Sequence, residues 1–168
     1  AGPLRAGKGP NFDGGQRGPP IFWGPGYVKP GVVNGMGSTI DLMETFAALS
    51  GVDAPKDRKM DGFDLSRTLS GQSESPRNEF HYWNRGKLHA VRSGPWKLHV
   101  IQREPINYSR IAIMGGPELY HLEYDISEAY DVAATHPEIV KQLLKLIKEH
   151  EKDTEDSLPE QLSARIEE

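Results

Sequence analysis

The chain has 168 residues, 36% of them hydrophobic, with 18 glycines and 13 prolines: enough for one domain, or a small domain joined to part of another, with long loops around a modest core. It contains no cysteine, which excludes disulfides, a thiolate metal site and a cysteine nucleophile; no apolar run approaches membrane-spanning length, and the opening Ala-Gly-Pro-Leu-Arg is not a secretory leader. The net charge of −4 is unevenly spread, because residues 77–110 hold seven basic side chains against Glu79 and Glu104 while residues 117–168 hold five against fourteen acidic ones. The middle third is therefore locally +5, a balance that favours an anionic ligand or else marks the outward faces of strands.

In chain order, residues 2–17 read Gly2-Pro3-Leu4-Arg5-Ala6-Gly7-Lys8-Gly9, then Asn11-Phe12-Asp13-Gly14-Gly15-Gln16-Arg17, a loop too rich in glycine for helix or strand. Lys8 between two glycines is a compact positive charge with three donors, suited to a tetrahedral oxyanion; the alternative is a solvated surface lysine. Residues 18–37 add one short apolar patch, Pro20-Ile21-Phe22-Trp23, and a turn at Pro30-Gly31. So long a structureless opening reads as the middle of something larger. The first helix is expected over 38–50, with Ser38 and Asp41 as a capping box and Gly51 as the stop. Ile40, Leu42, Met43, Phe46, Ala47 and Leu49 form its apolar face, expected to be core. Residues 53–76 have the character of a linker, in which Asp61 and Asp64 flank a turn rather than a metal.

From Glu79 the period changes to two. Four strands are expected, around Phe80–Trp83, 87–92, 96–100 and 118–122, with Trp96, Leu98 and Val100 on one face. Their short connections predict an antiparallel sheet with one wet face. A last helix starts at a capping box of Thr135 and Glu138, with Pro137 in its first turn, and carries Ile139, Val140, Leu143, Leu144 and Ile147 toward the dry face of the sheet. Residues 151–168 are a charged tail, expected to be partly helical or disordered.

The opening loop resembles the segment in which type I, formylglycine-dependent sulfatases of the alkaline phosphatase superfamily carry an active-site lysine. The family wording Trp-Glu-Gly-Gly followed by x-Arg-Val-Pro stands here as Phe12-Asp13-Gly14-Gly15, Arg17, Gly18 and Pro19. The likeness continues through Asp41-Leu42, Thr45, Leu49 and Gly51, through Asp61-Gly62-Phe63-Asp64-Leu65, and through Ala90-Val91-Arg92-Ser93-Gly94-Pro95-Trp96-Lys97-Leu98. It ends at Leu119-Tyr120-His121-Leu122-Glu123-Tyr124-Asp125, where His121 replaces the usual aspartate. The family places a late strand of its central sheet near residues 20–23, followed by a Trp-Pro-Gly turn that Trp23-Gly24-Pro25-Gly26 shifts by one place.

The resemblance implies an α+β chain: the end of an α/β alkaline-phosphatase-like domain with its linker (1–76), then a small subdomain of four antiparallel strands packed on a C-terminal helix (77–150), then the tail (151–168). It implies a sulfatase hydrolysing sulfate monoesters, on a sulfated glycan or aryl sulfate, with Lys8 catalytic. Arg5 and Arg17 read as residues that hold the loop, Arg17 by pairing with Asp13. His81, Arg85 and Lys87 are candidate substrate contacts, because family members use this subdomain to read the substrate. None of the six histidines has the spacing that puts two ligands on one helical face, and no metal site is expected in this chain. The family's calcium site and the Cys/Ser-x-Pro-x-Arg motif that yields formylglycine lie upstream in sulfatases and have no match here. The chain alone is expected to be inactive and to partner the remainder of the sulfatase N-terminal domain, with no nucleic-acid or membrane partner. The family implies a periplasmic, extracellular or lysosomal setting. Two other readings stay open: a non-catalytic module holding an anionic glycan on residues 77–110, and a phosphate or phosphonate ester hydrolase of the same superfamily.

Overall fold

A computed structural model describes residues 2–84, 86–103, 111–112 and 116–156, without the side chains of 102, 103, 111, 112 and 156. The chain forms two compact units, Ala1–Gly18 together with Glu79–Glu168, and Pro19–Asn78.

The first unit is built on strands β1 (Glu79–Asn84), β2 (Lys87–Ser93), β3 (Trp96–His99), β4 (Gln102–Arg103), β5 (Ile111–Ala112) and β6 (Glu118–His121). An antiparallel sheet of order β1-β2-β3-β6 carries the architecture, and β4 and β5 pair separately. Alternation sorts the side chains into two faces. His81, Val91, Leu98 and Leu119 lie in register across one of them. Val91, Leu98 and Leu119 bury themselves against Leu143 and Ile147 of the long helix Pro137–Asp156, as the helical spacing predicts. Thr135 closes a 3₁₀ turn, Ala133–Thr135, where its hydroxyl donates to the Val132 carbonyl, so it is used ahead of the helix rather than in the expected capping box. The helix runs on to Asp156, into the stretch expected as tail; residues 157–168 lie outside the described residues.

The other face departs from expectation. It presents Tyr82, Ala90, Lys97, His99 and Tyr120, and it is not wet: all five are buried. The glycine-rich opening loop and the short helix α1 (Asp13–Gln16) cover it, with Phe12 packed on Tyr120 and Leu122. A lysine and a histidine at alternate strand positions read as solvated, but here their charge and hydrogen bonds are answered by the covering loop and by Glu128.

The second unit contains a 3₁₀ turn, Thr39–Asp41, helix α2 (Leu42–Ser50) and helix α3 (Ser66–Leu69); the 137–156 helix is then α4. The Ser38–Asp41 capping box forms, and Gly51 ends α2 with a φ of 70°, a left-handed geometry that glycine adopts without strain. The apolar face of α2 is not core in this unit: Ile40, Met43 and Phe46 are 47%, 51% and 54% exposed. The buried residues here are polar: Asp41, at the end of the 3₁₀ turn, and Thr45 of α2, four positions on. The buried Asp41 carboxylate accepts the backbone N–H groups of Ser38 (2.7 Å) and Phe63 (2.9 Å) and the Arg77 guanidinium. Arg77 also donates to the Asp61 carbonyl (2.8 Å), and Thr45 takes the Leu65 N–H (3.0 Å). Residues 53–76 are thus tied down at 61–65 rather than a free linker. Gly62 is required there, because a Cβ would lie 2.4 Å from the Ile40 carbonyl oxygen. Asp64 accepts the Ser66 N–H (2.8 Å), the structural role expected of it. Pro20–Trp23 forms no strand, having no partner strand among the described residues, and Ile21 and Trp23 are exposed.

Burial alone would raise the Asp41 pKa, but the Arg77 guanidinium and two N–H donors outweigh it and hold the carboxyl below its ordinary value. Arg77→Met leaves that carboxylate buried without its cation, and an uncompensated buried charge costs about 3–5 kcal/mol. Urea denaturation of the variant should show a loss of that size, whereas a loss below about 1 kcal/mol would mean the clamp is replaceable.

Candidate active site

The loop that carries Lys8 is folded back on itself and fastened to the sheet. Gly14 donates its N–H to the Arg5 carbonyl (2.9 Å), and α1 sits so close to the preceding strand of loop that side chains are impossible. A Cβ on Gly14 would lie 2.2 Å from the Ala6 carbonyl oxygen and one on Gly15 2.4 Å from that of Gly7. These two glycines serve the approach of the chain to itself.

Four attachments surround Lys8. Arg5 donates to the Glu128 carbonyl (2.5 Å) and the Tyr120 hydroxyl (3.3 Å), with its guanidinium 4.0 Å above the Phe12 ring. Asn84, at the end of the β1–β2 hairpin, donates to the Gly9 carbonyl (3.2 Å). Lys97 donates to the Asn11 carbonyl (2.8 Å) and to Asp13 Oδ1 (2.7 Å). Glu128 accepts the Asp13 N–H on its second oxygen (2.7 Å). Lys8 itself is exposed. The loop is held on either side of it while its own side chain is left exposed.

Beneath the loop lies a buried charged cluster. Lys97 is 0% exposed, reaches Glu128 Oε1 at 2.9 Å as well as Asp13, and sits 4.3 Å from the centre of the Tyr82 ring. His99 Nε2 lies 2.8 Å from the same Glu128 oxygen. Burial, with Lys97 beside it, lowers the His99 pKa against the opposing pull of Glu128, so the ring is neutral at pH 7. The network assigns its proton to Nε2, donating to Glu128, and leaves the buried Nδ1 without a hydrogen-bond partner among the described residues. Burial pushes the Glu128 pKa up, but the His99 hydrogen bond, the Lys97 charge and the Asp13 N–H together hold it below the ordinary carboxylate value. Burial, chiefly, raises the hydroxyl pKa of Tyr82 and of Tyr120, so both remain protonated. Arg17 Nη1 stands 3.8 Å from Asp13 Oδ2, the pairing expected for it, and Arg5 holds the loop as expected.

The residues named from sequence fall in different places. Lys87 is exposed and paired in register with Asn84, so it stands at the hairpin end that touches Gly9. His81 points to the opposite face of the sheet, where its ring stacks on His150 of α4 with centroids 3.7 Å apart, and is not brought to the Lys8 side. Arg85 lies outside the described residues. The cluster of Lys97, His99 and Glu128 was not anticipated. Strand alternation places Lys97 and His99 on the face away from Leu98, but nothing in the local sequence marks Glu128.

Comparison with known proteins gives the family. The family model for the C-terminal region of aryl-sulfatase matches residues 75–166, and the chain belongs to that family: it is a C-terminal portion of a sulfatase. It is 33% identical over 168 aligned residues to arylsulfatase A of Bos taurus, covering 90% of this chain and 33% of the relative. It is 41% identical over 101 residues to N-acetylgalactosamine-6-sulfatase of Mus musculus, covering 59% of this chain and 19% of the relative. Among solved structures it is similar to the PsFucS1 sulfatase from Pseudoalteromonas sp., with a TM-score of 0.78 and 27% identity over 88% of this chain and 32% of that one. The chain thus spans at most about a third of the length of these relatives. No helix among the described residues is long and apolar enough to cross a membrane.

Neutral His99 has a folded-state pKa below its ordinary 6.5, so below that pH the unfolded chain binds a proton that the folded one refuses. Stability therefore falls as pH drops through 6.5, and a second loss follows below 4.5 as Glu128 is protonated. Denaturation midpoints at pH 7.5 and 5.5 should differ less in His99→Gln than in the wild type; an unchanged difference would contradict the neutral assignment.

Proposed function

We propose that this chain is the part of a sulfatase that brings Lys8 to the scissile sulfate ester. The observation that carries the reading is a lysine left exposed on a loop fastened through the Arg5 side chain and through the backbone of Gly9, Asn11 and Asp13. Cleaving a sulfate monoester builds negative charge on the bridging oxygen as the S–O bond breaks. An ammonium set in advance at that oxygen, or at the sulfuryl oxygens, stabilises the charge without reorganising during the reaction. Lys87, at the hairpin end beside Gly9, is a second cation on that side for an anionic substrate. The names of the relatives, arylsulfatase A and N-acetylgalactosamine-6-sulfatase, support an aryl sulfate or a sulfated sugar as the substrate class.

The nucleophile and the metal are proposed to come from elsewhere in the full-length enzyme. The described residues hold no group of three or more His, Asp or Glu side chains that can take a metal ion, and the sequence has neither a cysteine nor the Ser-x-Pro-x-Arg alternative. Calcium and formylglycine therefore do not fit the described residues. The exposed apolar face of α2, with Ile21, Trp23, Val32 and Val52 of the same unit, is the kind of surface that the rest of such an enzyme would cover. A separate glycan-binding role for residues 77–110 is less well supported, because two of their cations, Arg77 and Lys97, are buried in internal ion pairs.

In the full-length enzyme, Lys8→Ala should cut turnover of an aryl sulfate by about a hundredfold or more. The 168-residue chain alone should show no turnover of the same substrate. Wild-type turnover in Lys8→Ala would end the assignment.

A further inference from the structure

We infer that Lys97 and Glu128, with Asn84, are positioning residues that set the point from which Lys8 acts. This rests on the reading of Lys8 above and goes beyond it by naming what aims the lysine.

The Lys97 ammonium meets three oxygens: it donates to Asn11 O and Asp13 Oδ1, at 2.8 and 2.7 Å, and forms an ion pair with Glu128 Oε1 at 2.9 Å. Two of those oxygens belong to the chain just downstream of Lys8, and the third belongs to a carboxylate that grips the same segment through the Asp13 N–H. Asn84 holds the carbonyl of the residue next to Lys8, and Arg5 ties the upstream side to the backbone of Glu128. The loop is therefore held on both sides of Lys8 by groups that also grip one another.

Stability alone does not call for this arrangement. A buried set of charges is often matched or bettered by apolar residues of equal volume, whereas directional donors fix one register of the loop on the sheet. Backbone strain points the same way. Among the described residues, the non-glycine positions with positive φ are Ala6 (61°) and Glu128 (50°), one in the Lys8 loop and the other its anchor. Such conformations persist where the surroundings over-determine them, and they gather at functional sites.

The consequence is kinetic. Displacing a catalytic group by about 1 Å can cost on the order of a hundredfold in rate. The test uses the full-length enzyme and a series of aryl sulfates whose leaving phenols differ in acidity. It compares wild type, Lys8→Ala, Lys97→Met, Asn84→Ala and Lys8→Ala/Asn84→Ala. If Lys8 meets the charge on the leaving oxygen, Lys8→Ala makes the rate depend more steeply on leaving-group acidity. Lys97→Met and Asn84→Ala should then lower kcat by about tenfold to a hundredfold, with KM changed less, and should steepen the same dependence toward that of Lys8→Ala. The double variant should be no slower than Lys8→Ala alone. Asn84 is only part-buried, so its variant tests the inference even if Lys97→Met does not fold. Folded Asn84→Ala with a wild-type leaving-group dependence and wild-type kcat overturns the positioning role while leaving Lys8 in place. Wild-type turnover in Lys8→Ala instead overturns the reading of Lys8, and the inference with it.

Discussion

The first unit depends on one ammonium group that has no access to water. Lys97 is wholly buried, and its Nζ meets the Asn11 carbonyl and Asp13 from the loop and Glu128 from beyond β6. Desolvating a lysine is expensive, and its removal from water is offset only when every donor finds an oxygen. That requirement fixes which residues of the opening loop face the sheet. It also explains why Phe12, the neighbour of Asp13, is driven onto Tyr120 and Leu122, and why the Asp-Gly-Gly turn must be glycine where it backs onto the Arg5–Gly7 carbonyls.

The same logic recurs in the second unit with a different cation. Asp41 and Arg77 form a buried pair that ties the start of α2 to the Asp61–Leu65 turn. In both units a stretch that reads as loop or linker is held by a buried carboxylate that accepts at least one backbone N–H and pairs with a cation. The described part of this chain relies on such clamps where apolar packing is thin, as its modest hydrophobic content requires.

Much of the architecture was legible. The period-two runs gave β1, β2, β3 and β6, and the spacing of Leu143 and Ile147 gave the helix that packs on them. Gly51 marked a helix end because only a left-handed residue fits there. What sequence could not show was which polar residues are interior. Lys97 and His99 alternate with Leu98 as solvated residues do, and the difference lies in partners 84 and 31 positions distant, Asp13 and Glu128, in the case of Lys97. Conversely, Ile40, Met43 and Phe46 have the spacing of a core face yet remain exposed, because spacing records only that a face is apolar. The glycine setting and the family likeness single out Lys8 as a candidate, while the contacts that fasten its loop left no mark in the local sequence.

The Lys8 loop is part of the folded sheet unit rather than a loose strap over it. Amide hydrogen exchange of the wild-type protein under native conditions tests this most directly. The N–H groups of Asp13 and Gly14, bonded to Glu128 and to the Arg5 carbonyl, should be protected to the same degree as those of Val91 and Leu98 in the sheet. Rapid exchange at Asp13 and Gly14 alongside a protected sheet would mean that the buried charges do not hold the loop, and the account would fail.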